Sequence, residues 1–289
     1  MTEKRLKLDL HMHSTVSDGT DSPAQLIEIV AGAGIYIFSL TDHDGVAGCA
    51  EIRGLLAPGD STFLTGVEFS CRDEEGKYHI LGYGYDPDSP SIRAVVELGH
   101  GYRVKKMNVR LDHLRREFGF VFPEEEIEEL FALPNPGKPH LANMMIRHGF
   151  ARTRNEAIGE YIDSLHVKNT LFVRPEEAIR GVLGAGGIPV LAHPCFGDGN
   201  DLILGAELER RVDRLIGFGL QGLEAYYSDF SADQRAQVLS IAEKNSLYVT
   251  AGSDYHGKNK PISPGETGLD VEEYLPDGLL RFLEDTKSV

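Results

Sequence analysis

Seven short apolar segments recur along the chain: KLDLHMH, YIFSLTDHD, TFLTGVEFS, YHILGYGYD, IPVLAHP, GLEAYYSD and LYVTAGSDYH. Each has the length and the β-branched or aromatic content of a strand. Several are almost continuously apolar, the pattern of a parallel sheet covered on both faces. Helix-like segments separate most of them. SPAQLIEIVAGAG begins with Ser22 as N-cap and Pro23 in the first turn and ends in glycines, and RPEEAIRGVLGAGG repeats that design with Pro175. ELERRVDRLIGFG and SADQRAQVLSIAEKN complete the set. In a chain of 289 residues, this rhythm predicts an α/β barrel of parallel strands.

Polar residues stand where most of these segments end: His11, His13, His43, Glu68, His193, Glu224 and Asp254. A parallel barrel gathers its strand ends on one face, where such folds place their chemistry. His79 instead opens its segment, just after the turn-like CRDEEGK. That reversal predicts a hairpin returning to the same rim, and therefore a distorted barrel of about seven strands. Residues 97–168 differ: they carry helix-like patterns and the loop LPNPGKPH but no barrel-type strand. We read them as a helical insertion, a substrate cap between barrel portions 1–96 and 169–289. The other reading is an ordinary stretch of barrel with long helices.

Composition narrows the function. With 29 Lys+Arg against 45 Asp+Glu, the net charge is −16, which argues against wrapping long nucleic acid. The 97–168 segment holds 11 basic and 11 acidic residues, so the excess acid lies in the barrel. A short phosphorylated substrate remains compatible if bound cations offset the carboxylates. The three cysteines, Cys49, Cys71 and Cys195, are far apart and form no C-x-x-C pair, which predicts neither disulfides nor a structural zinc finger. No stretch approaches 18 apolar residues and MTEKRLKLDLHMH has no signal-peptide core. The expectation is a soluble cytoplasmic protein with no membrane partner, and nothing signals an oligomeric state.

His11 and His13 are two apart on a strand, so both rings face the same side. That spacing suits one metal ion, although a lone H-x-H also fits surface or core histidines. The set grows with Asp18 in an S-D-G turn, His43 in T-D-H-D and Glu68 in G-V-E-F-S, then His79, His193, Asp254 and His256. Six imidazoles and three carboxylates exceed what one ion needs and imply two or three divalent metals, with Glu68 placed to bridge. The N/O donor set without thiolate favours manganese, iron or zinc. Such a site suits phosphoester hydrolysis by a hydroxide held between metals, with the cations neutralising phosphoryl charge.

DLHMHSTVSDGT, TDHDG, GVEFS, HILGYGYD, VLAHP and GSDYHG, in this order, resemble the motifs of the PHP (polymerase and histidinol phosphatase) superfamily over residues 8–257. The insertion, through GKPHLANMMIRHGF and the helix at 103–114, is similar to a branch containing nucleoside 3′,5′-bisphosphate phosphatases. That branch is also described as 5′-to-3′ exoribonucleases acting on short RNA. The resemblance implies a distorted (β/α)7 barrel with a trinuclear site. His11, His13, Glu68 and Asp254 would hold one metal, Asp18, His43 and His256 a second, and Glu68, His79 and His193 a third.

The implied reaction is removal of the 3′-phosphate from a pAp-like nucleotide, with 5′–3′ trimming of short RNA. The alternatives are a histidinol-phosphate-type phosphatase or a structural module of a polymerase. Substrate contacts are expected from Arg103, Lys106, Lys138 and His140. Arg103, Lys106 and Arg110 fall on one helix face, and by spacing alone a solvated basic face paired with EEEIEEL is the better reading; the resemblance is what brings Arg103 and Lys106 forward as phosphate contacts. Lys138 stands where relatives commonly carry Arg, which keeps the charge but loses the two-pronged geometry. His140 fits either a phosphate donor or a helix cap, and Asp44 either a support for His43 or a turn residue. His100, His113, His148 and His166 read as surface or structural, and Cys195 as an apolar filler.

Overall fold

The computed structural model describes residues 7–57, 59–197, 202–269 and 275–286. The first six residues of MTEKRLKLDLHMH lie outside that range. In chain order the elements begin with strand β1 (Leu8–Asp9), helix α1 (Pro23–Gly32), β2 (Ile37–Leu40) and α2 (Ala47–Leu55). The long hairpin β3 (Thr62–Asp73) and β4 (Gly76–Tyr83) follows. Helices α3 (Pro90–Phe118), α4 (Glu124–Ala132), α5 (Lys138–Arg147) and the short α6 (Arg154–Glu156) come next, α6 running into a π-helical turn at Ala157–Ile162. The chain then alternates through α7 (Pro175–Gly184), β5 (Ile188–Leu191), α8 (Gly205–Phe218), β6 (Gly222–Tyr227), α9 (Ala232–Lys244) and β7 (Tyr248–Gly252), ending in α10 (Asp277–Asp285).

The strands form one seven-stranded sheet in sequence order. Every neighbouring pair is parallel except β3–β4 and β4–β5, because β4 is the returning arm of the hairpin. The first and last strands meet through Leu10 N–H to Ala251 O at 2.9 Å and Asp254 N–H to His11 O at 2.8 Å, so the barrel is nearly closed. The expected helix starts appear as capping boxes at Ser22–Gln25 and Ser231–Gln234. Among the described residues no helix is long and apolar enough to cross a membrane.

Two local expectations change. Glu68 does not end its strand, nor does His79 open one: β3 runs on to Asp73 and β4 starts at Gly76. Antiparallel pairing Ser70↔His79 and Glu68↔Leu81 carries the hairpin past the rim, and it makes Glu68 and His79 diagonal neighbours on one face. The boundary expected at residue 97 falls inside α3, which starts at Pro90 behind the Ser89 cap. At about 1.5 Å per residue, this helix is long enough to begin on the barrel and end among the helices that follow it. Its first turns lie against α7, where a Cβ on Gly184 would come within 2.7 Å of Ser91 Oγ. Its later turns join a separate apolar cluster with Met107, Leu114, Leu141, Met145 and Ile162.

Candidate metal centre and substrate cleft

The strand ends converge on a buried cluster. His11, His13, Glu68 and Asp254 form one group of donor atoms within 4.8 Å of one another, His13, Asp18, His43 and His256 a second, and His43, Glu68 and His79 a third. His193 completes the set, its Nε2 lying 3.3 Å from Glu68 Oε1 and 3.2 Å from His79 Nδ1. All nine candidate ligands are thus gathered in one place. The sharing differs from the expected one, with His13 common to two groups and His43 reaching toward Glu68 Oε2 at 3.0 Å.

The donors aim at common points rather than at each other. His11 Nε2 and His13 Nε2 lie 3.3 and 3.2 Å from Glu68 Oε2, yet all three atoms are buried without a hydrogen-bond partner. Orphaned buried donors are costly in an apolar interior. A cation at the point where they meet satisfies all three, so the residues fit a metal. The charges agree. Burial opposes ionisation of Glu68, Asp18 and Asp254, but the surrounding imidazoles hold all three well below the usual carboxylate range. Burial likewise opposes a proton on His13, but Asp254 and Glu68 lift it to about 9. Burial brings His43 down to about 3 and His79 to about 4, so those rings offer lone pairs. Ionised carboxylates this deep require positive charge, which protons or metal ions can supply.

A second layer fixes the ligands. Glu224 Oε1 accepts from His11 Nδ1 at 2.9 Å, and Glu224 Oε2 accepts from the His193 amide at 2.8 Å. A Cβ on Gly252 would collide with His11 Cβ and crowd Glu224 Oε1 at 2.5 Å, so glycine makes room for this pair. His256 Nδ1 donates to Asp254 O at 2.8 Å, which turns Nε2 toward Asp18. Tyr227 and Lys260 both reach Asp254 Oδ2 at 2.9 Å, leaving Oδ1 for the cluster. Asp42 accepts from Ser14 and Ser17 and ties down the turn that carries Asp18. Asp9 does the same for Ser253 and Gly265. Asp44, His193 and Asp254 have positive φ, a conformation costly for non-glycine residues and typical of functional sites.

Sequence reading placed Glu224 at a strand end without a role, and it missed Asp9, Asp42, Tyr227 and Lys260. Asp9 had a signal: it lies two residues before His11 on the same strand. Lys260 had none, because it arrives from a loop.

A cleft of about 570 Å³ opens beside the cluster. Asp18, His43 and His79 line it on the metal side, Ser70, Arg72 and Lys77 on the hairpin, and Arg103, Lys106 and Arg110 on α3. Lys138, Asp163 and Phe172 line it as well. Arg103 donates through Nε to Asp44 Oδ2 at 2.6 Å and through Nη2 to Ser70 Oγ at 3.1 Å, so Asp44 ties α3 to the rim. Lys106 Nζ sits 3.9 Å above the Phe172 ring, and burial lowers its pKa to about 7. Lys138 pairs with Asp163 at 2.5 Å. His140 Nδ1 accepts the Gly137 amide at 3.0 Å in the helix-cap arrangement, and it does not line the cleft.

Sequence reading did not find Arg72 and Lys77, and it left Arg110 undecided. His166, read as surface or structural, also lines the cleft. Cys195 is buried and its thiol is pushed up to about 12 by burial, an inert filler. A second cleft of about 590 Å³ between α1 and β2 holds none of these ligands.

No family model matches the chain. It is 30% identical over 259 residues to the phosphoribosyl 1,2-cyclic phosphate 1,2-diphosphodiesterase of Eggerthella lenta, covering 86% of this chain and 94% of that one. A metal-dependent phosphoesterase of Bifidobacterium adolescentis superposes with a TM-score of 0.80 at 28% identity, over 97% of this chain and 96% of the other. The chain belongs to the PHP-like metal-dependent phosphoesterases. As a PHP-like phosphoesterase it is a hydrolase acting on phosphoric esters. It is also 29% identical over 275 residues to the 3′,5′-nucleoside bisphosphate phosphatase of Chromobacterium violaceum, covering 91% and 90% of the two chains. With the 5′-3′ exoribonuclease of Haemophilus influenzae it shares 27% identity over 255 residues, 86% of this chain and 90% of that one.

Proposed function

We propose that this phosphoesterase removes the 3′-phosphate from nucleoside 3′,5′-bisphosphates and trims short 5′-phosphorylated RNA from its 5′ end by the same reaction. The observation that carries this reading is the adjacency of two sites of opposite charge. A cluster that demands cations stands beside a cleft lined by the buried cations Lys106 and Arg110, neither of which forms an ion pair with a carboxylate among the described residues. A substrate with two phosphates satisfies both, one at the cluster and one in the cleft. The relatives from Chromobacterium and Haemophilus, named for such substrates, support it. The three cysteines are free and buried, in keeping with a reducing cytoplasm.

His11, His13, Glu68 and Asp254 would hold one metal, Asp18, His43 and His256 a second, and Glu68, His79 and His193 a third, with Glu68 bridging. The N/O donors suit manganese, with iron or zinc as the other choices. When bound, such ions supply Lewis acidity toward phosphoryl oxygens and make water nucleophilic near neutral pH. The chain's own residues do the rest. Arg103 and Lys106 fix the 5′-phosphate beside the rim, and Lys138 exchanges Asp163 for a phosphate oxygen. His140, whose Nδ1 accepts the Gly137 amide, caps the helix that begins at Lys138 and so orders the Lys138 loop rather than donating to a phosphate. Anchoring the non-reacting phosphate places the 3′-phosphorus over the cluster.

The test is phosphate release by manganese-loaded protein from pAp, AMP, histidinol phosphate and a short 5′-phosphorylated RNA. We expect kcat/KM for pAp to exceed that for AMP and histidinol phosphate by at least about 100-fold. A preference for histidinol phosphate would replace the substrate assignment. Failure to turn over any ester would favour a structural PHP module.

A further inference from the structure

Arg103, Lys106 and Arg110 are only 9%, 6% and 7% exposed, and all three line the cleft. Their partners differ. Arg103 is matched by Asp44, and Lys106 rests on the Phe172 ring. Arg110 has its Nε buried with no hydrogen-bond partner. Burial lowers the Arg110 pKa to about 10, opposed by Asp163 and aided by Arg103, which indicates a cation that the fold leaves under-compensated. A buried guanidinium whose Nε–H has no partner is expensive, and a ligand anion in the cleft would compensate it.

Position along the helix says which part of a ligand that is. Arg103 is fixed at the metal rim, since its partner Ser70 Oγ lies 3.5 Å from His43 Nδ1. At ~1.5 Å rise per residue, Arg110 lies about 10 Å beyond Arg103 and about 6 Å beyond Lys106 along α3. The row of cations therefore leads away from the cluster, past the place where Arg103 and Lys106 take one phosphate. Lys77 lines the same cleft from the hairpin, and Lys138 does so from α5, held by Asp163.

We infer that Arg110 forms a second anion subsite that takes the outer phosphoryl group of a 5′-diphosphate or a similar 5′-phosphoanhydride. This rests on the reading that the 3′-phosphate lies at the metals and the inner 5′-phosphate at Arg103 and Lys106. The preferred substrate is then a nucleoside 3′-phosphate 5′-diphosphate, or an RNA end carrying a 5′-diphosphate. Water adds to the 3′-phosphorus, the P–O3′ bond breaks and the 3′-oxygen takes a proton. The nucleotide yields inorganic phosphate and a nucleoside 5′-diphosphate with its anhydride intact, and the RNA end yields the same nucleoside 5′-diphosphate and an RNA one residue shorter with a 5′-phosphate.

The experiment compares adenosine 3′,5′-bisphosphate with adenosine 3′-phosphate 5′-diphosphate on manganese-loaded protein, with wild type, Arg110→Gln and Arg110→Lys. The wild type should show a KM about tenfold lower for the diphosphate and release ADP. Arg110→Gln should bring that preference close to parity, and Arg110→Lys should restore part of it. Equal KM values in the wild type, or a loss in Arg110→Gln that falls equally on both substrates, would overturn the subsite. Absence of turnover on both substrates would instead remove the proposed function. Calorimetric binding of AMP and ADP to the same protein then decides the subsite alone: ADP bound more tightly, with Arg110→Gln erasing the difference, supports it, and equal binding refutes it.

Discussion

The carboxylate of Glu224 accepts the Nδ1–H of His11 at 2.9 Å. Its other oxygen holds the main-chain amide of His193 at 2.8 Å. One buried side chain therefore orients ligands of two different groups in the cluster. Because Glu224 can only accept when ionised, His11 keeps its proton on Nδ1 and turns Nε2 inward.

Glu224→Gln should weaken metal binding about 10–100-fold with the fold intact by circular dichroism. Titration of the metal-free protein with manganese, read by calorimetry, checks this. The weakening should affect more than one binding step, since both His11 and His193 lose their support. Unchanged affinity would assign Glu224 a purely packing role.

His43 reaches Glu68 at 3.0 Å and Asp18 at 3.9 Å, joining two groups of donors. His43→Ala should reduce kcat at least about 100-fold, because two groups each lose a donor. The side chain is partly exposed, so thermal stability should change little. Retained turnover would refute the ligand set.

Arg103 and Asp44 form a buried pair at 2.6 Å. Removing only the cation leaves Asp44 uncompensated, at a cost of about 3–5 kcal/mol. Arg103→Ala should therefore lower both stability and substrate affinity. Adding Asp44→Asn should recover much of the stability while the raised KM persists. Recovery of both together would mean that Arg103 has no contact with substrate.

Lys106 titrates at about 7 instead of its ordinary 10.5, through burial and then the nearby Arg103. Its folded pKa is depressed, so between pH 7 and 10 the unfolded chain binds more protons and this residue favours folding increasingly as pH rises. At pH 6 the charged, buried ammonium is a penalty that an anion relieves. Sulfate should raise Tm by about 2–4 °C more at pH 6 than at pH 9. Lys106→Arg should remove that dependence. Equal sulfate effects at both pH values in the wild type would exclude Lys106 from the anion site.

The barrel was legible because its strands are nearly continuous apolar runs and its rim residues follow them directly. The clustering of these side chains was legible in part from spacing: His11 and His13 sit two apart just past β1, whereas Asp254 takes a left-handed conformation beyond the end of β7. The hairpin was foreseen from CRDEEGK, but its length was not, because nothing in TFLTGVEFS marks where pairing stops beyond the rim. Glu224 stood at a strand end with no role assigned, and only the fold shows its oxygens turned to His11 Nδ1 and the His193 amide. The cleft was least legible. Arg72 and Lys77 come from the hairpin, Arg110 from α3 and Lys138 from α5, and a charge on a helix face reads identically whether it meets solvent or another wall.

The central claim is that the metals act on the 3′-phosphate while the cap holds the 5′-phosphate. Phosphorus NMR of the products from adenosine 3′,5′-bisphosphate, with manganese-loaded protein, tests it most directly. The account predicts inorganic phosphate and adenosine 5′-monophosphate as the sole products, and no reaction after chelation of the metal. Formation of adenosine 3′-monophosphate, or turnover that survives chelation, would contradict it.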